Sequence, residues 1–391
     1  MTAAAGQLAE LLSESIDAAR ERERTAFARA AGPHEKLLVL FGAGNLGRKT
    51  LAGLRQIGTE PLAFADNDAQ RWGTMESGLP ILSPAEAARR LGKSAAFIIC
   101  VWTAGQKHRT RDLRKQLMDL GCTTTVPFGL LFWGYPELFL PHIGVDLPHK
   151  VLADKDAVQQ AFACLADDAS RAEYVAQLRF RLHFDCDGLP EPVNHRQYWP
   201  TEITRFDPHE HFVDCGALDG DTIADVLKHG TMGFDHLTAF EPDPANLHRL
   251  RAYISALPAS VASRIVVHEA AVGARRERLR FNATGNAAAA VGAGGIEVQC
   301  VTLDAVLAKE TPTYIKMDIE GSELDALDGA REVIGRCSPR LAVCVYHRQD
   351  HLWRVPLRIR QLGDAYRIYL RPYAQEGFEL VCYGIPPAFA L

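Results

Sequence analysis

The sequence predicts an α/β protein built from two Rossmann-type, three-layer units joined by helices. Three observations carry that prediction. Short apolar runs alternate with helically spaced segments in two separate series, each series opens with a glycine-rich turn directly after an apolar run, and 391 residues suit two or three domains of ~150 each. A content of 47% hydrophobic and 23% charged residues fits a folded chain rather than a disordered or fibrous one. With 48 acidic against 43 basic residues there is no bulk positive field, so neither nucleic acid nor an anionic membrane is an expected partner.

Residues 1–30 read as one soluble amphipathic helix, because Glu10, Glu14, Asp17 and the run Arg20 to Arg24 interrupt any apolar core that a secretory signal would need. Residues 31–140 form the first unit. Lys36 to Phe41 is an apolar run ending in Gly42, a helical pattern follows through Ile57, and Leu62 to Ala65 is the next run. Ser83-Pro84-Ala85-Glu86 has the form of an N-cap with proline at the first helical position, and Ala95 to Trp102 reads as a buried strand. The apolar stretch from Gly121 to Tyr135 contains Pro127 and is too short for the ~20 residues of a membrane span.

Residues 141–200 read as a helical connector, with Ala157, Phe162, Leu165, Tyr174 and Leu178 at helical spacing and Gly188, Pro190, Pro192 and Pro200 breaking it. Tyr198 and Trp199 read as core anchors at its end. The second unit, 201–391, carries runs at Phe212-Val213, Leu237 to Phe240, Ile265 to Val267, Tyr314 to Met317, Leu341 to Val345, Tyr366 to Leu370 and Phe378 to Tyr383. Only Arg371 to Gly377 separates the last two, too little for a crossover helix, so they predict a β-hairpin. Nine cysteines without a Cys-x-x-Cys pair argue against a disulfide framework or thiolate zinc site and make the cytoplasm the expected compartment.

The strongest chemical signal is His211 to Thr222, where a strand ends in Asp214-x-Gly216-x-x-x-Gly220 and a helix follows. Glycines let backbone approach a ligand, and a helix N-terminus adds oriented amides. Glu241, at the next strand tip and 21 residues after Gly220, is placed to hold ribose hydroxyls, with Pro242 behind it. A nicotinamide dinucleotide and a nucleoside without phosphate are both compatible with this spacing. Asp214, Asp219 and Asp221 crowd the loop, however, and carboxylates repel a pyrophosphate while favouring a cation such as a sulfonium.

From Gln197 to Pro386 the chain resembles the FkbM family of S-adenosylmethionine-dependent methyltransferases. The resemblance runs through this glycine loop, Phe240-Glu241-Pro242, Ala270 to Gly273, Val301 to Asp304 and, most specifically, Lys316-Met317-Asp318-Ile319-Glu320-Gly321-Ser322-Glu323. It implies a class I methyltransferase fold, seven-stranded with the last strand antiparallel, and methyl transfer to an oxygen, commonly a hydroxyl of a sugar or polyketide. It also implies that Asp214, Gly216, Ala217 and Gly220 wrap the methionine portion, that Glu241 holds the ribose, that Ala271 borders the adenine and that Asp318 lies beside the reactive methyl. Asp219, Asp221 and Thr222 complete the expected cofactor loop.

In-line methyl transfer is served first by orientation, worth about 7–11 kcal/mol, and second by a base worth about 10²–10⁴-fold. Asp318, Glu320 and His347 are the candidate catalytic groups. Asp318 with Glu320 lacks a third ligand, so no metal is expected. Asn282 to Gly295, with Ala287 to Ala290 where relatives carry serines, reads as a mobile loop over the acceptor site.

In the first unit, Gly42-Ala43-Gly44-Asn45-Leu46-Gly47 follows a strand, and Asp66 comes 19 residues later at the end of the next, as a dinucleotide-binding turn requires. Phe64 to Asp68 with Gly78 to Ile81 resembles nucleotide-sugar-binding domains of some sugar acyltransferases. The expected ligands are a nucleotide sugar or NAD on Gly42, Gly44, Gly47 and Asp66; the alternative is a degenerate unit kept for packing or a homodimer. No catalytic group is evident near Thr103 to His108. The rival whole-chain readings are a nucleotide-sugar-binding scaffold without turnover and an NAD-dependent sugar oxidoreductase. The acceptor is expected to be a small molecule or glycan, and transfer to nitrogen is disfavoured because no Asn/Asp-Pro-Pro-aromatic segment follows the fourth strand.

Overall fold

A computed structural model describes residues 3–104, 109–194, 196–207, 209–228, 233–285, 290–292 and 295–391. The readings of Thr103 to His108 and Asn282 to Gly295 fall partly outside these residues. The chain divides into two compact units, one comprising Met1–Asp156, Ala172–Pro192 and Ala374–Glu379, the other Ala157–Arg171, Val193–Tyr373 and Leu380–Leu391. The expected connector over 141–200 is therefore shared between them. None of the nine cysteines is joined in a disulfide.

The first unit opens with two helices, Ala3–Leu11 and Ile16–Ala31, where the sequence suggests one. Ser15 is the reason: its backbone is extended and its side chain accepts the Ala18 N–H, which starts the second helix afresh. Six strands follow, β1 (Leu38–Phe41), β2 (Ala63–Ala65), β3 (Met75–Glu76), β4 (Leu79–Leu82), β5 (Ala96–Ile99) and β6 (Thr124–Pro127). They lie in the order β3-β4-β2-β1-β5-β6, parallel except for β3. Every residue of β1, β2 and β5 is buried, as strands covered on both faces must be. Ser83 Oγ accepts the Glu86 N–H at 3.1 Å and starts the helix Pro84–Leu91 as expected. Gly121 to Tyr135 supplies β6 and the helix Phe128–Gly134, and no described helix is long and apolar enough to cross a membrane.

The second unit holds β7 (Glu210–Cys215), β8 (Phe234–Phe240), β9 (Ile265–His268), β10 (Ala271–Val272), β11 (Glu277–Asn282), β12 (Ala290–Val291), β13 (Ile296–Val301), β14 (Tyr314–Met317), β15 (Arg340–Cys344), β16 (Arg367–Pro372) and β17 (Leu380–Ile385). Seven of them form a sheet in the order β16-β17-β15-β14-β7-β8-β9, and β17 runs antiparallel to both its neighbours. This is the mixed seven-stranded sheet that the resemblance implies, and the terminal hairpin is present. A second sheet, β10-β13-β11-β12, was not foreseen. Its strand β11 alternates charged and apolar residues and buries only Phe281, so its pattern reads as a polar connection. Trp199 packs against Phe206, Phe212 and Tyr314 in the core.

Candidate active site

The registers Cys215↔Met317 and Cys215↔Phe240 bring the carboxyl ends of β7, β14 and β8 level. Gly216, Asp318 and Glu241 are the residues that follow those ends, and crevices outside the carboxyl ends of parallel strands are where such sheets bind ligands. Gly216 has φ +86°, and a Cβ there would lie 2.0 Å from the Asp318 carbonyl oxygen. No side chain fits between the two tips.

Alternation along β14 puts Tyr314, Lys316 and Asp318 on one side. Lys316 is the neighbour of Asp214 across the ladder, its Nζ 2.9 Å from Asp214 Oδ1, and it donates to the Gly216 carbonyl at 2.7 Å. Both side chains are almost wholly buried. Burial opposes the charge on Lys316, but Asp214, Asp318 and Asp221 outweigh it and hold the ammonium above its ordinary range. Burial pushes Asp214 up to about 6 against the pull of Lys316. The sequence reading places Asp214 among the ligand contacts; in the structure its carboxylate lies against Lys316, the lysine that donates to the Gly216 carbonyl.

Glu241 closes the glycine loop from the neighbouring tip. Its Oε2 accepts the Leu218 N–H at 2.9 Å and its Oε1 the Asp243 N–H at 2.8 Å, while burial pushes the carboxyl up to about 7. Asp221 opens the helix Asp221–Lys228 and accepts the Thr222 N–H at 2.8 Å. Ala217 and Gly220 are buried in the loop, Asp219 stands 3.8 Å from Arg249 Nε, Pro242 is half-buried, and Ala271 belongs to β10 in the small sheet.

Around Asp318 the fold assembles groups far apart in sequence. Tyr198 Oη donates to Asp318 Oδ2 at 2.8 Å and Tyr346 Oη to Oδ1 at 3.4 Å. His347 Nε2 is 3.4 Å from Asp318 Oδ1 and 3.6 Å from Glu320 Oε1. Its Nδ1 lies 2.8 Å from Glu323 Oε1, and His351 Nδ1 is 3.1 Å from Glu323 Oε2. Burial disfavours charge on both His347 and Glu323. Their mutual attraction prevails, holding the imidazole well above its usual value and the carboxylate below its own. The side chains of Asp318 and Glu320 are 22% and 30% exposed against 4% for His347, so the carboxylates face outward and the imidazolium stands behind them.

The sequence identified no third group beside Asp318 and Glu320. The fold instead gathers Asp318, Glu323 and His347, whose ligand-type atoms lie within 4.8 Å of one another, a trio without Glu320. Lys316, the Tyr198 hydroxyl, Tyr346 and His351 were missed as site residues. Alternation on β14 could have flagged Lys316; nothing local marks the tyrosines.

The glycine loop of the first unit is built alike. A Cβ on Gly47 would meet the Gly42 carbonyl oxygen at 1.9 Å, and Gly44 caps the helix Asn45–Gln56. Asp66 Oδ2 accepts the Ala43 N–H at 2.7 Å and Oδ1 the Asp68 N–H at 2.8 Å, while Arg48 and Arg71 donate to the Ala43 carbonyl.

Residues 214–378 match the family described as the methyltransferase FkbM domain, a span that runs from Asp214 at the tip of β7 to the turn before β17. The chain carries an FkbM methyltransferase domain. The family is one of S-adenosylmethionine-dependent methyltransferases, as the sequence resemblance implied. The FkbM methyltransferase of Methylobacillus flagellatus KT, solved as a crystal structure, has a similar fold with TM-score 0.75 and 24% identity, over 96% of this chain and 99% of that one. A precorrin-6y C5,15-methyltransferase from Geobacter metallireducens GS-15 matches at TM-score 0.29 and 14% identity, over 46% of this chain and 82% of its own. No curated protein matches the chain. The FkbM domain thus spans the sheet ends where the glycine loop, Glu241 and the Asp318 cluster meet.

Proposed function

We propose that the FkbM domain transfers a methyl group from S-adenosylmethionine to a hydroxyl oxygen of a sugar, glycoconjugate or related small molecule. The observation that carries this reading is the gathering of Asp214, Asp221, Asp318 and Glu241 around a glycine loop whose neighbouring lysine, Lys316, is committed to Asp214. Such a tip favours a cationic ligand, and the bare backbone at Gly216 fits one that must approach closely. S-adenosylmethionine supplies the methyl group as a sulfonium electrophile. Glu241, whose oxygens accept only local amides, is left with lone pairs for ribose hydroxyls. Gly216 and Ala217 offer backbone to the amino-acid portion.

Asp318 and Glu320 face the open side, where either accepts a hydrogen bond from the acceptor hydroxyl and takes its proton as the oxygen is alkylated. His347 is a positioning residue here rather than the base named from sequence. As an imidazolium it holds the Asp318, Glu320 and Glu323 carboxylates together. Held orientation supplies most of the acceleration, about 7–11 kcal/mol, and the base a further ~10²–10⁴-fold.

Calorimetric titration of S-adenosylmethionine into Glu241→Ala tests the cofactor half. Loss of charge-assisted hydrogen bonds worth about 1.5–3 kcal/mol weakens binding by about 10–100-fold; an unchanged affinity would remove Glu241 from the site. Labelled-methyl transfer to hydroxylated acceptors, with the product mapped, tests the oxygen specificity, and label found only on nitrogen or carbon overturns it.

A further inference from the structure

We propose that His211, His236 and Glu310 form a second site, for a single divalent metal ion of the zinc class, at the end of the sheet opposite the FkbM tips. His211 is the second residue of β7 and His236 the third of β8, and they are direct neighbours across the ladder with ring centroids 4.7 Å apart. Glu310 comes from the segment leading into β14, the strand on the other side of β7. His211 Nε2 lies 3.1 Å and His236 Nε2 3.7 Å from the same oxygen, Glu310 Oε2.

Those separations are the chemical clue. Ligands at about 2.0–2.1 Å from a tetrahedral ion stand about 3.3–3.4 Å from each other, and the two observed distances bracket that edge. Although the Glu310 side chain is 38% exposed, its Oε2 is shut off from solvent and has no hydrogen-bond partner among the described residues. His211 Nε2 also lies 3.4 Å from Thr238 Oγ1. A buried carboxylate oxygen between two ring nitrogens, without a bond to either, is a geometry that a cation completes.

The three ligands are also held in advance. Thr313 Oγ1 accepts the His211 N–H at 3.0 Å, and Arg336 donates to the carbonyls of Leu307, Ala308 and Glu310, fixing the segment that carries the carboxylate. Two imidazoles, one carboxylate and an outward face leave a fourth position for water. The ion would tie the starts of β7 and β8 to the approach of β14, the three strands whose far ends carry Cys215, Phe240 and Met317.

The full chain, stripped with chelator and dialysed, is titrated with Zn²⁺ by calorimetry, with Co²⁺ absorption as a second readout of coordination. Binding of an ion that His236→Ala and Glu310→Gln each weaken by more than the ~100-fold that loss of an outer-shell partner costs is the expected result. His347→Ala, which alters the cluster at the other end, leaves that ion bound, so metal held near Asp318 is told apart. Circular dichroism of the metal-free variants, both at partly exposed positions, checks that they fold. No bound ion, or binding that survives both substitutions in folded protein, overturns the proposal.

Discussion

His347 illustrates how a residue's task is set by what surrounds it. A strand-end histidine reads in sequence as a base, yet Glu323 on one ring nitrogen and Asp318 with Glu320 before the other keep it charged despite burial. The charge persists above pH 6.5, the ordinary imidazole value, and is lost only on the alkaline side. His347→Gln is therefore expected to lower kcat about tenfold at neutral pH, equivalent to ~1.4 kcal/mol, and to abolish the alkaline fall of the wild-type profile. A variant whose kcat still falls along the wild-type alkaline limb would show that another group titrates there. Tyr198 teaches the complementary lesson. Its burial was legible, but its hydroxyl meets Asp318 across 120 residues of chain, a contact that no local pattern encodes.

Among the elements, β14 concentrates the design. Four consecutive buried residues made it readable as a strand, and its two-residue period places Lys316 behind Asp318. The Lys316–Asp214 pair lies wholly inside, where removing one partner strands the other's charge. Lys316→Met should cost about 3–5 kcal/mol of unfolding free energy, measured by denaturant titration. A loss below ~1 kcal/mol would mean that Asp214 is protonated when alone and that the pair contributes little. The apolar runs of β1, β2, β5 and β15 were visible in the sequence, as was the hairpin closing the sheet. The small sheet was not, because a strand exposed on one face and studded with Arg278 and Arg280 has the composition of a loop.

At the scale of the whole molecule, each unit contains a sheet with parallel central strands in which an acid at one strand tip holds the preceding glycine loop, Asp66 through Ala43 and Glu241 through Leu218, and also accepts the amide two residues further on, of Asp68 and Asp243. The motif spacing in sequence foretold both acids, though not that their first partners are the protein's own amides. Burial raises Glu241 from 4.5 to about 7, so the folded state binds the proton more tightly than the unfolded one. Its contribution to stability is complete below pH 4.5 and is lost as pH rises through about 7. Thermal unfolding of the ligand-free protein between these values should show a decline that Glu241→Gln flattens; an identical slope in both proteins would assign the decline elsewhere.

Glu320 adopts φ +55°, a left-handed conformation in which an L side chain costs about 1–2 kcal/mol, and Gly321 follows at φ +100°. A glycine at 320 would relax that bend. Selection for robustness alone would thus erase the outward carboxylate, and a library screened only for heat resistance would drift toward proteins with better melting behaviour that lack this proposed proton acceptor.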